Sequence, residues 1–498
     1  MSYKSSKHRN VSQLTMVFDG GINAAQSGTN INDNQLQVCQ NFVYANNQSF
    51  LTVRNGVVIN AVAPVMDAGE NVPIDKLHYY VKDASTSWLV AAIGGNLYYL
   101  DDDVWTLIGA LTGTGITPCM LTYGGKLIVA DGGTSLRYWN GTTYGTISGS
   151  PQYATALAEI GGRLVANSKG TGEWDGVFFS KLYDETGWDS NNGAVTMRAG
   201  YKDALNVVAF GVMGTDLIVF KTGHAKRVYR VTTAGSTSTW TVSLLMSSST
   251  ASEADSVASV VNDLVFADDF GLNSVRAVDT YGDLAQAMLG NPINSLLNGK
   301  QSKELTFSPV FGMLFALFDG SSDIYVYHPH NGAFTTINVG DLQINSICDT
   351  RTTVYLAAQN GHLYQFVDDD ADQLATGVTT YIPCWLKSKS FTFPGEVVIR
   401  RSRAYVDVLT PNSGTIAAVG RDNYTETPLF TWEPSADNYI YNATGYIYDA
   451  LEYIGGESIG YNDSKARWRD AALCFVLRIT RGRINIKNIL VDLALVNG

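Results

Sequence analysis

The sequence has little proline, histidine or charge, and it has no long apolar run. Of its 498 residues, 12 are proline, 6 are histidine and 16% are charged. No stretch approaches the ~20 apolar residues of a membrane span, and no apolar secretory segment follows the basic N-terminus. We therefore expect no membrane span and no secretion by the usual route.

Cysteine is also scarce, and its spacing excludes the common metal-binding patterns. The chain has five cysteines, at Cys39, Cys119, Cys348, Cys384 and Cys474, with no CxxC or CxxH pair. This scatter predicts small buried apolar residues, which suits folding in a reducing cytoplasm. One incidental disulfide is the lesser alternative.

Catalytic and metal-binding motifs are missing as well. There is no G-x-S-x-G elbow, no G-x-x-x-x-G-K-[ST] loop, no HExxH and no repeated Ser-x-Asp-x-Gly-x-x-Trp box. The one close histidine pair, His328 and His330, flanks a proline, so a solvent-facing turn is favoured over a metal site. We predict no enzymatic activity and no cofactor. A hydrolase would require two carboxylates that the fold brings together.

Glycine and aromatic residues are plentiful, and they recur in a repeated unit. Each unit has apolar alternating runs separated by tight turns, and successive units lie roughly 30 to 55 residues apart, which is typical of β-propeller blades of about four strands. The central turns fall near Gly95, Gly125, Gly162, Thr215, Asp263, Gly312 and Thr352. Seven blades is the best estimate within a range of six to eight, and the sequence does not identify the strand that closes the ring.

The repeats define three segments of an all-β protein. Residues 1–65 are rich in Asn and Gln and predict an extended, turn-rich segment that packs on the propeller or on a neighbour. Residues 66–380 predict the β-propeller, and residues 381–498 predict a C-terminal antiparallel β-sandwich. One short helix is expected over residues 33–42, capped by Asp33.

The charge distribution points to acidic turns and a basic C-terminal group. The net charge of −12 argues against wrapping nucleic acid tightly. Consecutive aspartates do not match a calcium loop, so solvent-facing turns are favoured, although an acidic surface could also line a passage for a polyanion. The basic group could bind an acidic neighbouring subunit. It comprises Lys465, Arg467, Arg469, Arg478, Arg481, Arg483 and Lys487.

The N-terminal segment carries a distinctive set of short motifs ahead of the propeller and sandwich. They are Phe18-x-Gly-Gly-Ile-Asn23, Ile31-Asn-Asp-Asn34, Asn41-Phe42 and Val53-Arg54-Asn-Gly56. In this order they resemble the nozzle or hub proteins of short-tailed bacteriophages, sometimes called packaged-DNA stabilisation proteins. The specific resemblance covers about the first sixty residues. The motif residues also have a purely structural interpretation, in which Gly20, Gly21 and Gly56 supply positive φ and Arg54 pairs with a carboxylate or carbonyl.

The resemblance implies a structural virion protein without catalytic residues. It implies a homohexameric ring in the virion tail, assembled in the host cytoplasm, with adaptor or portal proteins and tail fibres or a needle as partners. Its channel would retain packaged double-stranded DNA and let it pass at ejection. The candidate subunit contacts are Phe18, Asn23, Asn34, Arg54, Arg467, Arg469, Arg481 and Arg483. The candidate channel acids are Asp101, Asp102, Asp103, Asp268, Asp269, Asp368, Asp369 and Asp370.

A carbohydrate- or receptor-binding propeller of a phage tail is the alternative. Aromatic residues near the blade turns could stack on sugars, or they could pack one blade against the next. These residues are Tyr98, Tyr99, Tyr138, Trp139, Tyr325 and Tyr327. A hydrolytic propeller with paired carboxylates in its central funnel is the third hypothesis.

Overall fold

The computed structural model describes most of the chain. The described residues are 11–45, 48–64, 71–113, 115–269, 271–277, 288–393, 397–410, 412–420, 426–432, 457–462, 466–468 and 472–495. They form almost entirely β-structure, which confirms the all-β class with many small antiparallel sheets. The named helical elements are 3-10 turns at Ser190–Asn192, Thr237–Thr239 and Asn291–Ile293 and an α-helix at Asn294–Leu297. No helix in the described ranges is long and apolar enough to cross a membrane.

The strands are numbered in chain order. The first half comprises β1 Val11–Val17, β2 Leu36–Gln40, β3 Phe42–Tyr44, β4 Leu51–Val53, β5 Gly56–Val62, β6 Ile74–Val81, β7 Ser87–Ile93, β8 Asn96–Asp101, β9 Val104–Ala110, β10 Cys119–Tyr123, β11 Lys126–Ala130, β12 Arg137–Trp139, β13 Tyr144–Thr146, β14 Leu157–Ile160, β15 Arg163–Asn167, β16 Gly176–Phe179, β17 Val195–Arg198, β18 Asn206–Met213, β19 Asp216–Thr222, β20 Arg227–Thr232 and β21 Thr241–Met246. The second half comprises β22 Val257–Val260, β23 Asp263–Asp268, β24 Gly271–Ser274, β25 Ser302–Ser308, β26 Met313–Phe318, β27 Asp323–His328, β28 Ala333–Asn338, β29 Ile344–Asp349, β30 Val354–Ala358, β31 His362–Val367, β32 Ala371–Ala375, β33 Val378–Tyr381, β34 Cys384–Ser388, β35 Phe391–Thr392, β36 Val397–Val408, β37 Ser413–Val419, β38 Glu426–Trp432, β39 Glu457–Asn462, β40 Ala466–Trp468, β41 Ala472–Arg481 and β42 Ile484–Leu495.

The chain divides into two compact units. The terminal unit contains Met1–Val57, Tyr325–Asn338 and Val367–Gly498, and the middle unit contains Val58–Ile324 and Val339–Phe366. The chain therefore passes between the units four times. The sequence-based boundaries near residues 65 and 380 stay predictions.

The middle unit is built from successive antiparallel groups of strands. The groups are β6 to β9, β10 to β13, β14 to β17, β18 to β21, β22 to β24, β25 with β26, and β29 to β31. A two-glycine turn joins the second and third strands of the first group and the first and second strands of the next two groups, and all six glycines have positive φ. Two consecutive positive-φ residues give the turn twist that matches antiparallel strands, which is why Gly-Gly pairs mark these hairpins.

Apolar cores of the middle unit lie between neighbouring groups. The second strands are buried along most of their length, as in β26, where every residue is buried. A strand buried on both faces reads as a continuous apolar run, as the repeats do. The first strands β6, β10, β14, β18, β22, β25 and β29 each contact the next, and β29 contacts β6. One core combines Ala61 and Ala63 with residues of β6, β7, β29 and β30.

The terminal unit contains two sheets to which both ends of the chain contribute. One sheet has the order β3-β4-β42-β36-β39, with β1 also beside β42, and β1 pairs antiparallel with β42 from Val11↔Ala494 to Val17↔Asn488. In the other sheet, β34 pairs with both β2 and β41. The N-terminal segment is thus part of the same sheets as the C-terminal strands.

The helix expected over residues 33–42 is wrong. This stretch forms β2, which pairs antiparallel with β34 and parallel with β28. Leu36 and Cys39 are fully buried there. Strand partners that lie about 300 residues away in sequence supply the backbone hydrogen bonds, and this tertiary pairing outweighs the local capping signal.

Candidate functional site

A buried ion cluster joins three parts of the middle unit that are far apart in sequence. The Lys76 ammonium on β6 lies 2.9 Å from Asp255 Oδ2 and 3.3 Å from Glu304 Oε2 on β25. Lys76 and Glu304 are buried, and Asp255 is partly exposed. Thr306 Oγ1 donates a hydrogen bond of 3.0 Å to Glu304 Oε1. One cation thus faces two carboxyl groups.

Burial and neighbouring charges shift the pKa values of Lys76 and Glu304 in opposite directions. Burial alone would lower the pKa of Lys76, but Asp255 and Glu304 outweigh it, and the pKa lies above its ordinary value. Burial raises the pKa of Glu304, and the Lys76 ammonium opposes that rise. Lys76 is therefore a permanent cation, while ionising Glu304 in this setting is costly.

Polar side chains around the cluster connect adjacent first strands. Ser346 Oγ on β29 accepts the Leu77 N–H of β6 at 3.1 Å. Asn345, also on β29, accepts from Lys303 Nζ at 2.8 Å and donates to the Ile74 carbonyl at 3.1 Å. These contacts fix β29 between β25 and β6.

The other titratable groups near the cluster are poorly suited to catalysis. Burial raises the pKa of the Cys119 thiol to about 12 and raises that of Cys348 further. Protonated thiols are weak nucleophiles, and catalytic cysteines have depressed pKa values instead. Burial also lowers the pKa of His78 to about 4, and its Nε2 lies 3.1 Å from Thr122 Oγ1.

Asp255 and Glu304 are two neighbouring carboxyl groups, as glycoside hydrolysis requires, but their arrangement differs from that of a hydrolytic pair. Hydrolytic pairs leave space between the carboxyl groups for a sugar oxygen or a water. Here the Lys76 ammonium contacts both Asp255 and Glu304. The geometry favours a structural role for the cluster, and the lack of enzymatic activity stays a prediction. The cluster was not predicted from the sequence, although ionisable residues inside the apolar first strands, such as Lys76 and Glu304, were a visible signal.

Arg54 of the N-terminal motif lies inside the terminal unit. Its side chain is 1% exposed, and Nη1 and Nη2 donate to Asp372 Oδ1 and Oδ2 at 2.8 and 2.6 Å. Arg54 Nε donates to Asn41 Oδ1 at 3.0 Å, and Nη2 also reaches the Asn338 carbonyl at 3.0 Å. The predicted pairing with a carboxylate is confirmed. Arg54 as a subunit contact is corrected, because its charge is fully used within the chain.

Phe18 and Asn23 are likewise corrected as surface contacts, because both are buried. The Phe18 carbonyl accepts a hydrogen bond from the Tyr44 hydroxyl. Asn34 is partly buried and donates to Asp19 Oδ1 at 2.7 Å. The N-terminal motif therefore builds the interior of the terminal unit.

The motif glycines have different roles. Gly21 has a φ of 63°, as expected, but Gly20 and Gly56 do not have positive φ. A Cβ on Gly56 would lie 2.2 Å from the Ala371 carbonyl oxygen. Gly56 is therefore required by close approach of another backbone, which corrects the turn interpretation.

Three of the four C-terminal arginines predicted as subunit contacts lie within the described residues. Arg483 pairs with Asp368. Arg481 is exposed, and its guanidinium lies 4.8 Å from the Tyr381 ring centroid. Arg467 is in β40, opposite Val398, and Arg469 lies outside the described residues.

The candidate channel acids do not form one group. Asp101, Asp102 and Asp103 are exposed, and Asp102 and Asp103 have φ values of 43° and 62° in the turn between β8 and β9. Asp268 is buried against the Ser249 hydroxyl, so it is corrected as a channel residue. The remaining acids have local partners. Asp269 pairs with Lys226, Asp368 pairs with Arg483, Asp369 accepts from Gly56 N through its carbonyl, and Asp370 accepts from Thr410 Oγ1 at 2.8 Å.

The aromatic residues proposed for sugar stacking mostly pack inside the protein. Tyr98, Trp139 and Tyr325 are buried. Trp139 lies 5.1 Å from Tyr99 and 5.2 Å from Trp88, measured between ring centroids, in the core between the first two strand groups. Tyr138 and Tyr327 are partly buried. Sugar stacking by this set is therefore not supported.

The histidine pair also differs from expectation. His328 is fully buried, its Nε2 lies 3.0 Å from Thr335 Oγ1, and burial lowers its pKa to about 3. His330 is exposed, with Nε2 3.0 Å from the Gln48 carbonyl. The solvent-facing turn is correct for His330 and wrong for His328.

These features define an all-β protein made of small antiparallel sheets, with a buried ion cluster between first strands. No family model and no curated protein matches the sequence. Among solved structures, the chain is similar to a mitotic checkpoint complex crystal structure, with 13% identity, a TM-score of 0.43, and coverage of 62% of this chain and 93% of the other. It is also similar to a catalytically inactive virginiamycin B lyase from Staphylococcus aureus, with 11% identity, a TM-score of 0.42, and coverage of 61% and 97%. Similarities this distant indicate no function for this chain.

Proposed function

We propose that the middle unit is a closed seven-bladed β-propeller. The cyclic contacts of the first strands, from β6 through β29 and back to β6, support closure. So does the core that Ala61 and Ala63 share with the first and last strand groups. β5 lies beside β31, and the Ala63 N–H donates to the Gly361 carbonyl at 2.7 Å. A strand from the start of the chain would thus complete the last blade, the usual way to protect sheet edges in a propeller.

We further propose that the protein is a structural subunit of a phage tail nozzle or hub. The observation that carries this proposal is the pairing of β1 with β42, which ties both ends of the chain into one sheet over seven residue pairs. Together with the four passages between units, this pairing prevents either end from being pulled away without breaking a sheet. A wall element of a tube under internal pressure needs this property. The N-terminal motif residues support the proposal because they build this unit.

The ion cluster supports a mechanical role for the centre of the propeller. Lys76, Asp255 and Glu304 satisfy one another, and their neighbours link β25, β29 and β6. Removing one partner of a buried ion pair strongly destabilises the folded state. Such a cluster therefore favours the one arrangement of the strands in which all its charges are paired. In this proposal DNA passes through the channel of the assembled ring, and Asp101, Asp102 and Asp103 are the exposed acids available to repel it.

The proposal is tested by the assembly state of the full-length protein. Light scattering and negative-stain imaging are expected to show a ring of about six copies, alone or after addition of portal and adaptor proteins. A variant lacking Val11–Val17 should lose assembly, because β42 loses its neighbour β1. A chain that stays monomeric at micromolar concentration and does not join a portal and adaptor complex would contradict the proposal.

Recognition of a carbohydrate receptor is the second candidate. It is favoured by one observation, the exposed side chains of Tyr153, Trp174 and Tyr201 in the loops at one end of the strands β14 to β17. This set differs from the aromatic set expected from the sequence.

A further inference from the structure

Three loops meet at one edge of the sheet formed by β14 to β17. They are the segment before β14, residues 147–156, the connection from β15 to β16, residues 168–175, and the segment after β17, residues 199–205. Because successive strands run antiparallel, alternate connections lie at the same end of the strands, and this end is the edge meant here. The other connections, residues 161–162 and 180–194, lie at the opposite edge.

Each of the three loops presents a large aromatic side chain to solvent. Tyr153 is 43% exposed, Trp174 is 42% exposed and Tyr201 is 72% exposed. Elsewhere in this unit the aromatic residues mainly fill the cores between strand groups. Several exposed rings at one edge indicate an interaction site, whereas single exposed apolar residues are common on any protein surface and indicate nothing.

Hydrogen bonds join the three loops to one another. The Gln152 carbonyl accepts the Lys169 N–H at 3.2 Å, which connects the first loop to the second. The Asp175 carboxylate accepts the Lys202 N–H at 2.8 Å and pairs with Arg198, which connects the second loop to the third. The aromatic residues are therefore carried on one connected platform.

A buried ion pair anchors the loop that carries Tyr201. The Lys221 side chain on β19 is fully buried, and its Nζ lies 2.5 Å from Asp203 Oδ1 and donates to the Ala199 carbonyl. Burial lowers the pKa of Lys221, and Asp203 opposes this effect. The two ends of the loop are thus held by one side chain beneath it.

The backbone of the platform is strained where the aromatic residues lie. Tyr153, Lys202 and Ala204 have φ values of 55°, 53° and 55°. Such left-handed conformations cost on the order of 1 kcal/mol each in residues other than glycine. They persist because the surrounding hydrogen bonds fix them, and strain of this kind is concentrated at functional sites.

We propose that Tyr153, Trp174 and Tyr201 form a glycan-binding site. Rigid tyrosine and tryptophan rings offer large apolar faces at low entropic cost, and the C–H faces of sugar rings stack on them. The Lys202 ammonium lies 5.2 Å from the Tyr201 ring centroid, within cation–π range. Sugar hydroxyls would find donors and acceptors in the exposed polar side chains of the same loops, such as Gln152 and Lys202.

Charge favours a glycan over a nucleic acid at this platform. Nucleic acid binding depends on several cations that neutralise phosphates, in addition to stacking. Here Arg198 pairs with Asp175, and Lys221 and Arg227 both pair with Asp203. These three cations are already matched with carboxylates inside the chain, and the three loops then offer only Lys169 and Lys202 as exposed cations, fewer than a phosphate backbone requires. The proposal rests on the second candidate function, recognition of a carbohydrate, and it does not depend on the structural role in a phage tail.

The test measures binding of the full-length protein to a printed array of bacterial polysaccharides and defined oligosaccharides. We expect binding to a discrete subset, followed by saturable changes in tryptophan fluorescence with the oligosaccharides that bind. Tyr201→Ala and Trp174→Ala should each weaken binding by about tenfold or more, as expected for a central aromatic contact. Melting temperature and circular dichroism show whether each variant remains folded.

Tyr183→Ala is the matched control. Tyr183 is 80% exposed and has a φ of 58°, but it lies in the connection at the opposite edge of the same sheet. Its substitution should leave affinity unchanged. The proposal is overturned if the array shows no binding, or if folded Tyr201→Ala and Trp174→Ala variants bind like the parent. It is also overturned if fluorescein-labelled oligothymidine, rather than any glycan, binds and loses affinity in these two variants.

Discussion

Arg54 and Asp372 form a two-point ion pair in the interior of the terminal unit, although 318 residues separate them in the sequence. Asp372 Oδ1 also accepts the Val57 N–H at 2.9 Å, so one carboxylate holds both the guanidinium and the backbone at the start of β5. The pair therefore fixes the backbone at the end of the N-terminal segment within the terminal unit.

Asp372→Ala is expected to destabilise the protein by about 3–5 kcal/mol, because it leaves the Arg54 charge buried and unpaired. Denaturant unfolding followed by tryptophan fluorescence measures the change. Arg54→Lys is the matched control, since it keeps a charge but loses the two-point geometry. It should cost less than Asp372→Ala, and equal stability of Asp372→Ala and the parent would contradict the role assigned to the pair.

Gly56→Ala is expected to destabilise the same region, because the added methyl group would lie 2.2 Å from the Ala371 carbonyl oxygen. Overpacking of this kind costs typically about 1–3 kcal/mol. Gly377→Ala provides a comparison, since nothing lies within 4 Å of its added Cβ, although its φ of 76° adds strain. If the Gly56→Ala variant melts at the temperature of the parent, the backbone contact is not as close as described.

His328 makes stability depend on pH in a defined window. Because burial lowers its pKa to about 3 from an ordinary value of 6.5, the folded protein binds the proton less readily than the unfolded chain. The stability that neutral His328 contributes to the folded protein is fully present above pH ~6.5. It is lost as the pH falls toward 3, at about 1.4 kcal/mol per pH unit.

His328→Gln should reduce that acid sensitivity, since glutamine keeps a donor and acceptor near Thr335 and does not titrate. Urea midpoints at pH 7 and pH 4.5 provide the measurement. The exposed His224→Gln variant leaves both His328 and its neighbour His330 in place, so it serves as the control and should keep the slope of the parent. An unchanged slope in His328→Gln would exclude this histidine as the source.

Local patterns predicted the parts of the fold that local chemistry determines. Gly94-Gly95 and Gly124-Gly125 marked hairpins because only glycine adopts two successive positive φ values without strain. The strand at Leu36–Gln40 was missed because its partners β28 and β34 are distant in sequence. The sharing of one unit by both chain ends was missed for the same reason.

The candidate sites were harder to predict than the strands. Arg54 was correctly expected to have a carboxylate partner, but neither its burial nor the identity of Asp372 is encoded nearby. Lys76 and Glu304 lie in different repeats, so it is contacts between strands distant in the sequence that bring them together. Trp174 and Tyr201 lie in irregular loops, where no periodicity distinguishes exposed aromatic residues from buried ones.

The turn formed by Asp102 and Asp103 offers a stabilising substitution. Both residues have positive φ, which asparagine and glycine adopt more easily than aspartate. The double variant Asp102→Asn with Asp103→Gly is expected to gain on the order of 1 kcal/mol, measured by thermal unfolding, because it relieves the strain of left-handed φ in residues other than glycine. Loss of stability would indicate that the acidic side chains contribute contacts beyond the 3.3 Å hydrogen bond between Asn60 and Asp103.

The ion cluster predicts unequal effects of removing its cation and one of its carboxylates. Lys76→Met leaves Asp255 and Glu304 close together without a counter-charge, and a loss of about 3–5 kcal/mol is expected. Glu304→Gln leaves a matched pair of Lys76 and Asp255 and should cost about 1 kcal/mol or less. The double variant should lose less than the sum of the two single variants, because Glu304→Gln removes the repulsion that Lys76→Met exposes.

The pH dependence of Glu304→Gln provides an independent check on the same cluster. Since burial raises the folded-state pKa of Glu304 above its ordinary 4.5, the parent loses stability as the pH rises from about 4.5 through that raised pKa. Glutamine cannot ionise, so the variant should lack this loss, and its stability relative to the parent should improve with rising pH across the window. If urea midpoints instead show the variant falling further behind the parent as the pH rises, then ionised Glu304 stabilises the fold through Lys76 more than its burial costs.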